Sequence, residues 1–150
     1  MEFHKRKLLR LQNYDYSTNG IYFLTICSYK KMELFSNISK DNIIELTTVG
    51  KVISDNIAIL NDVYTGIDVH NYVIMPNHVH MLIELNKQNK SIPQIMSIFK
   101  SSVSKQVEFS VWQKSYYDHI IRNFKEYQAI YYYIDENPNR WSKDCYFNAN

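Results

Sequence analysis

The alternation of hydrophobic and polar positions follows two periods along this chain, and it predicts four strands and three helices. Short runs rich in β-branched and aromatic residues predict strands, whereas apolar residues at intervals of three and four predict helices. Polar segments and prolines separate these runs. The predicted strands cover 21–28, 69–75, 78–85 and 116–121, and the predicted helices cover about 48–63, 92–107 and 124–136.

A residue with a capping side chain precedes each predicted helix. Thr47 or Thr48 can begin the first helix, Ser91 the second and Asn123 the third, because short polar side chains accept hydrogen bonds from the N–H groups of a first turn. The element order predicts an α+β fold, a ferredoxin-like βαββαβ sandwich with helices on one face of an antiparallel sheet and an added C-terminal helix. That fold hosts many functions, so function has to be inferred from particular side chains.

Two histidines open the third predicted strand, after a break at Pro76 and Asn77. Successive strand residues point to opposite faces, so His78 and His80 project side by side while Val79 points away. Two neutral imidazoles on one rigid strand suit a divalent metal ion. The same spacing also fits an exposed polar face that binds nothing, and spacing alone leaves both interpretations open.

The last predicted helix places a phenol beside an amide. Tyr133 and Asn137 are four residues apart and are neighbours on one side of a helix, and an amide oxygen is a suitable third ligand for a hard divalent cation. Beside the histidine strand, a metal held by His78, His80 and Asn137 would polarise a phosphodiester that Tyr133 attacks. On helical position alone, Tyr133 is more often a surface aromatic residue than a nucleophile. The buried face of this helix is predicted to consist of Tyr127, Ile130, Tyr131 and Ile134.

Composition narrows the class of protein. A length of 150 residues with 45% apolar and 21% charged residues predicts one globular domain, 1–150, that includes a basic arm at 1–18. No apolar run reaches the roughly 18 residues of a membrane span. No signal peptide is recognised, so we expect a cytoplasmic protein. Cys27 and Cys145 form no CxxC pair and predict neither a disulfide nor a zinc-thiolate site. A net charge of +2 is weak evidence for a polyanionic partner.

Several motifs together resemble one known family. The most specific are MPNHVH at 75–80, WQxxYYDHIIRN at 112–123 and YIxxNP at 133–138. In that order and spacing, the chain resembles the REP-associated tyrosine transposases of the single-tyrosine HUH transposase superfamily. The matching segments are Arg6–Leu11, Tyr14–Ser17, Gly20–Cys27, Tyr72–His80, Phe99–Ser101, Val111–Gln113, Tyr116–Asn123 and Tyr133–Pro138.

The resemblance implies an enzyme that cleaves and rejoins single-stranded DNA beside hairpins through a 5′-phosphotyrosine intermediate, and that works as a homodimer. It implies Tyr133 as the nucleophile and Mg²⁺ or Mn²⁺ bound by His78, His80 and Asn137. Tyr132 is the nearest competitor for the nucleophile, but it lacks the four-residue spacing to Asn137. Met81 stands where many relatives carry a glycine.

Further basic and polar residues are candidate DNA contacts, because Lys and Arg neutralise phosphates without reading sequence. A basic arm of this kind is more often a solvated tail than a nucleic-acid contact, and His119 could equally be a structural histidine. A hairpin-binding protein that does not cut, and a phosphodiesterase that uses water, are the alternative functions. The candidate contacts are Arg6, Lys7, Arg10, Lys100, Lys105, His119 and Arg122.

Overall fold

The computed structural model describes residues 20–86 and 90–147, so Arg6, Lys7 and Arg10 of the basic arm lie outside the described residues. All seven predicted elements occur within two residues of their expected bounds. The elements are β1 (Gly20–Cys27), β2 (Ser36–Ile38), β3 (Ile44–Leu46), α1 (Thr48–Asp62), β4 (Ile67–Ile74), β5 (His78–Leu85), α2 (Ile92–Val107), β6 (Tyr117–Ile120) and α3 (Phe124–Glu136), with 3-10 helices at Tyr29–Lys31 and Pro138–Lys143.

Each of the three α-helices begins at a predicted capping residue. The Thr47 side chain accepts a hydrogen bond from the Gly50 N–H, and Asn123 accepts one from Glu126. Ser91 forms a reciprocal capping box with the third residue of α2. These side chains satisfy N–H groups that have no partner within the helix, so local sequence is sufficient to place the helix starts.

The main sheet has the strand order β4-β5-β1-β6, and all its pairs are antiparallel. This order confirms the predicted ferredoxin-like class. Strand β5 is central, with β1 on one side and β4 on the other. The β1–β5 register pairs Cys27 with His78 and Thr25 with His80. The histidine strand is therefore held along both edges, which makes it a rigid support.

The two faces of the sheet carry different structures. Val79, Met81 and Ile83 of β5 belong to the larger apolar core beneath α1 and α2, whereas Leu82 belongs to a second cluster on the other face. Because strand residues alternate between faces, His78 shares the face of Leu82. The two core helices α1 and α2 cover one face, as predicted, and the histidines point away from them.

Helix α3 packs on the opposite face through a narrow apolar row. Ile130 and Ile134 are buried against Phe23 and Leu82. The prediction that Tyr131 belongs to the buried face is wrong, because its side chain is 37% exposed. This packing fixes the rotation of α3 about its axis. The adjacent face of the helix, which carries Tyr133, is therefore directed toward the His78 end of β5.

The hairpin of β2 and β3 was not predicted, since each strand has only three residues. The residue that leads into this hairpin lies close to α1. Phe35 is fully buried before β2, and a Cβ added at Gly50 would overlap the Phe35 carbonyl oxygen. Glycine is therefore required at that position of α1. Within residues 20–86 and 90–147, no helix is long and apolar enough to cross a membrane.

Candidate active site

The two histidines of β5 lie side by side and out of solvent. His78 and His80 are both buried, and their ring centroids are 4.6 Å apart. The strand geometry predicted from the HxH spacing is confirmed. The alternative of an exposed polar face is excluded by the burial of both rings.

Hydrogen bonds define which nitrogen of His78 carries the proton. The Asn77 amide nitrogen donates to the carbonyl oxygens of Lys31 and Tyr146, at 3.2 and 2.7 Å. Its Oδ1 is therefore an acceptor, and it lies 2.9 Å from His78 Nδ1. His78 must donate from Nδ1, which leaves the lone pair of Nε2 facing the interior. A second hydrogen bond of this kind fixes the orientation of metal-binding histidines.

His80 is held in a comparable way from β1. Its Nδ1 lies 2.8 Å from Thr25 Oγ1, while its Nε2 is buried and has no hydrogen-bond partner among the described residues. A buried polar atom without a partner is costly. Nε2 of His80 is therefore available to a ligand that is not part of the protein.

Asn137, directly after α3, brings a third candidate ligand close to the two histidines. Its side-chain nitrogen donates to the Tyr133 carbonyl at 3.2 Å, so its Oδ1 is the atom that lies 3.4 Å from His78 Nε2. Two hydrogen-bond acceptors thus face each other, and a cation between them would relieve the repulsion of their lone pairs. In the described part of the chain no group of three His, Cys, Asp or Glu residues forms a metal site, so the amide oxygen is needed.

Burial keeps both imidazoles neutral. Desolvation lowers the pKa of His78 to about 3, and the Asn137 side chain, which would accept a hydrogen bond from the protonated ring, opposes this with a smaller effect. Burial also lowers the pKa of His80 well below its ordinary value, and the neighbouring His78 adds to this. Neutral imidazole is the form that binds a metal ion, so the site is in its binding form at neutral pH.

The structure places Tyr133, rather than Tyr132, beside the histidines. The Tyr133 ring centroid is 5.4 Å from that of His80, whereas Tyr132 is 59% exposed. Burial raises the pKa of the Tyr133 phenol and the Asp144 carboxylate raises it further, while the hydrogen bond from the Asn137 side chain acts in the opposite direction. The phenol is thus protonated at rest and has to lose its proton to become a nucleophile.

A cavity of about 780 Å³ is lined by His80, Tyr133 and Asn137, and His78 lies directly behind it against His80. Its remaining wall includes residues after α3 that the sequence did not identify as functional. The Tyr146 ring centroid lies 4.3 Å from that of His78, and the Asp144 carboxylate lies 3.8 Å from His78 Nε2. None of the matching motifs includes these positions, and no local pattern marks them. The additional wall residues are Asn139, Arg140, Lys143, Asp144, Cys145 and Tyr146.

Two of the candidate DNA contacts lie at β6 and the start of α3. His119 is buried and 2.8 Å from Glu126 Oε2, a geometry that favours its structural alternative. Arg122 is exposed and lines a separate cavity with Phe124 and Tyr127. Neither residue lines the cavity that contains Tyr133.

The two lysine candidates lie on α2, on the sheet face away from the histidines. Lys100 Nζ donates to the carbonyl oxygens of Gln113 and Lys114, both at 2.9 Å. Lys105 is exposed. The structure therefore does not bring either lysine to the histidine site.

Comparisons with known proteins give one sequence relative and two solved structures of similar fold. No family model matches the chain. An uncharacterized protein of Haemophilus influenzae is 33% identical over 167 aligned positions, covering 94% of this chain and 92% of that protein. A solved REP-associated tyrosine transposase bound to a REP hairpin superposes with a TM-score of 0.69 at 20% identity, covering 88% of this chain and 73% of that one. A candidate transposase from Deinococcus radiodurans gives a TM-score of 0.51 at 18% identity, with 85% and 97% covered. The fold that the resemblance implies is therefore confirmed.

Proposed function

This chain belongs to one family with the Haemophilus influenzae protein and has the fold of the REP-associated tyrosine transposase, and from this premise we propose that it is a single-tyrosine transposase. It would cleave and rejoin single-stranded DNA near hairpins. One observation carries the proposal: Tyr133, His80 and Asn137, from distant parts of the chain, line one cavity, and the second neutral histidine, His78, is buried directly beside His80 and Asn137.

Tyr133 is the proposed nucleophile. Its phenol loses a proton and attacks phosphorus, the bond from phosphorus to the 3′-oxygen breaks, and that oxygen takes up a proton. The product is a 5′-phosphotyrosine and a free 3′-hydroxyl, and attack by another 3′-hydroxyl reverses the step. The Asn137 side chain, whose hydrogen bond lowers the pKa of the phenol, stabilises the phenolate as it forms.

His78, His80 and Asn137 are the residues that would hold Mg²⁺ or Mn²⁺. The bound cation supplies positive charge that stabilises the phosphate as negative charge develops on it. Asn77 and Thr25 contact the Nδ1 atoms of the two imidazole rings, so the Nε2 atom of each ring is the one left to bind the cation.

The proposed substrate follows from the wall of the site and from the structural relative. Arg140 and Lys143 line the cavity and would attract the phosphates on either side of the cut. The relative at a TM-score of 0.69 is bound to a REP hairpin, and we extend hairpin DNA to this chain. A homodimer is proposed with it, since two DNA ends have to be handled together.

A hairpin-binding protein that does not cut is the second candidate. It is favoured by the position of Tyr146, whose ring lies over His78 and occupies space beside the proposed cation site. Both candidates require DNA binding, and only the transposase forms a covalent adduct.

The test is covalent trapping on a labelled single strand that flanks a hairpin. With Mn²⁺, the protein should form an adduct that survives denaturation, and Tyr133→Phe should abolish it. Tyr132→Phe is the matched control, because that exposed side chain should be dispensable. Cleavage that persists in Tyr133→Phe would rule out the nucleophile and favour attack by water.

A second variant tests the histidines. His78→Ala should abolish cleavage but keep most of the DNA binding, because binding to phosphates depends mainly on Lys and Arg. Normal cleavage by His78→Ala would exclude the proposed metal site. Tight hairpin binding by the native protein, with no adduct in Mg²⁺ or Mn²⁺, would favour the non-cutting candidate.

A further inference from the structure

A basic cavity of about 690 Å³ opens just after the end of β1 that pairs with His78. All three charged residues among its described lining residues are lysines, namely Lys30, Lys31 and Lys114, and all three are exposed. None of them is a specified position of the motifs that carry the family resemblance. The rest of its wall consists of Tyr29, Ser110, Trp112 and Gln113.

Two of these lysines have an unusual backbone conformation. The φ angle is 52° at Lys30 and 56° at Lys31, in the left-handed region that residues other than glycine adopt rarely and at a cost. Hydrogen bonds hold the turn in place: the Tyr29 N–H donates to the Val111 carbonyl at 2.8 Å, and the Lys31 N–H donates to the Ser28 carbonyl at 3.0 Å. Because strained residues cluster at ligand sites, the turn is a fixed support for two cationic side chains.

The third lysine lies on the segment between α2 and β6, and Lys100 fixes that segment. Lys100 Nζ donates to the carbonyl oxygens of Gln113 and Lys114, both at 2.9 Å. Trp112 Nε1 donates to the Lys100 carbonyl at 3.1 Å. Lys100 therefore holds one wall of the basic cavity and adds a positive charge beside it.

An exposed aromatic ring accompanies the lysines. Tyr29 is 49% exposed, and Lys30 Nζ lies 5.3 Å from the centroid of its ring. Ammonium groups attract phosphates, and aromatic side chains stack with unpaired bases. The bases of a duplex are stacked on one another and leave no face for a side chain, so this combination favours single-stranded DNA over a hairpin stem.

Lys31 connects the basic cavity with the proposed catalytic site. Its Nζ lies 5.4 Å from the centroid of the Tyr146 ring, and Tyr146 lines the cavity that contains Tyr133. The Lys31 carbonyl also accepts a hydrogen bond from the Asn77 amide at 3.2 Å. The two cavities are therefore neighbours across Lys31, and a strand bound in one can continue into the other.

We infer that the basic cavity binds the single strand on one side of the cut, with phosphates at Lys30, Lys31 and Lys114 and an unpaired base on Tyr29. The inference rests on the proposed function, since it concerns the substrate of the same site. Contacts to phosphates and to the face of a base do not depend on sequence. The cavity therefore supplies affinity for the strand, and the choice of the cut belongs to other residues.

The test is fluorescence anisotropy of the full chain in chelator, with a labelled single strand that flanks a hairpin, over a range of salt concentrations. Each phosphate contact to a single strand contributes about 0.7 to the slope of log affinity against log salt concentration. Lys30→Gln/Lys114→Gln should therefore lower that slope by about 1.4, which at about 0.1 M salt is roughly 25-fold weaker binding. Lys51→Glu, at an exposed position of the far helix α1, lowers the net charge by the same amount and should bind as the native chain does.

Further variants keep the test independent of a folding defect. Thermal melts show whether the double variant folds, and Lys114→Gln alone should lower the slope by about 0.7. Lys30→Arg/Lys114→Arg keeps both charges and should bind as the native chain does. Tyr29→Leu should weaken binding of the flanked hairpin by about fivefold or more and leave binding of a hairpin without flanks unchanged.

The outcomes separate this inference from the proposed function. A native salt slope in Lys30→Gln/Lys114→Gln, while the native chain forms the covalent adduct, would overturn the basic cavity alone. An equal loss in Lys51→Glu would overturn it too, because the effect would then come from net charge. Equal losses on hairpins with and without flanks would overturn the single strand as its occupant. A native chain that neither binds the strand nor forms an adduct would overturn the cavity and the proposed function together.

Discussion

Replacing Asn77 by alanine should lower both the stability of the fold and the affinity of the proposed metal site, because one side chain supports both. Asn77 lies in the turn between β4 and β5 and is fully buried. Its amide accepts from His78 Nδ1 at 2.9 Å and donates to the carbonyl oxygens of Lys31 and Tyr146 at 3.2 and 2.7 Å. Alanine removes all three hydrogen bonds and leaves their partners unsatisfied.

The magnitude follows from these three bonds. Each contributes about 1 kcal/mol net, so Asn77→Ala should lower the free energy of unfolding by about 3 kcal/mol. For a domain of this size, about 1 kcal/mol corresponds to about 2 to 4 °C in melting temperature, and the expected fall is about 6 to 12 °C. Loss of the acceptor for His78 should also weaken Mn²⁺ binding by about 10- to 100-fold.

Calorimetry of the metal-free chain measures the first effect, and Mn²⁺ titration measures the second. Asn77→Asp separates them, because it keeps an acceptor for His78 while losing both donated hydrogen bonds; it should be destabilised yet bind Mn²⁺. Asn86→Ala removes only a long exposed hydrogen bond of 3.4 Å and is the control. Native Mn²⁺ affinity in Asn77→Ala would refute the argument that Asn77 sets the proton position on His78.

Three further outcomes are expected. Burial lowers the pKa of His78 to about 3 and that of His80 well below 6.5, so below pH 6.5 the unfolded chain takes up protons that the folded chain does not. Urea denaturation in chelator should therefore show full stability from these groups above pH 6.5, a loss of about 2 kcal/mol from His78 by pH 5, and a further loss in the same direction from His80. Gly50→Ala should cost at least about 2 kcal/mol in urea denaturation, because the added Cβ overlaps the Phe35 carbonyl. Ser91→Ala removes a capping box and should cost about 1 kcal/mol, measured from the melting temperature.

Each of these outcomes has a clear contrary result. Unchanged stability between pH 7 and pH 5 would show that the folded histidines take up protons as readily as the unfolded chain does. A native denaturation midpoint in Gly50→Ala would show that α1 can move from the hairpin without cost. Ser97→Ala, at an exposed position of the same helix, controls for Ser91→Ala, and equal effects of the two would remove the capping explanation.

The sequence predicted the elements and the pairs of residues that local geometry brings together. Capping side chains and periodic apolar positions act over a few residues, so the helix starts and the strand bounds could be inferred directly. His78 and His80 share a face because a strand alternates. Tyr133 and Asn137 are neighbours because a helix turns every 3.6 residues. These relations do not depend on the rest of the chain.

What only the tertiary structure decided is which of these local pairs meet. Ile130 and Ile134 seat α3 on the histidine face, and this packing turns Tyr133 inward and leaves Tyr132 exposed. Asp144 reaches His78 across 66 residues of chain (144 − 78), and no local period links positions so far apart. Burial, which determines the pKa of the histidines, arises from that packing. The sequence therefore determined the donors and their spacing, and the tertiary fold determined the site they form.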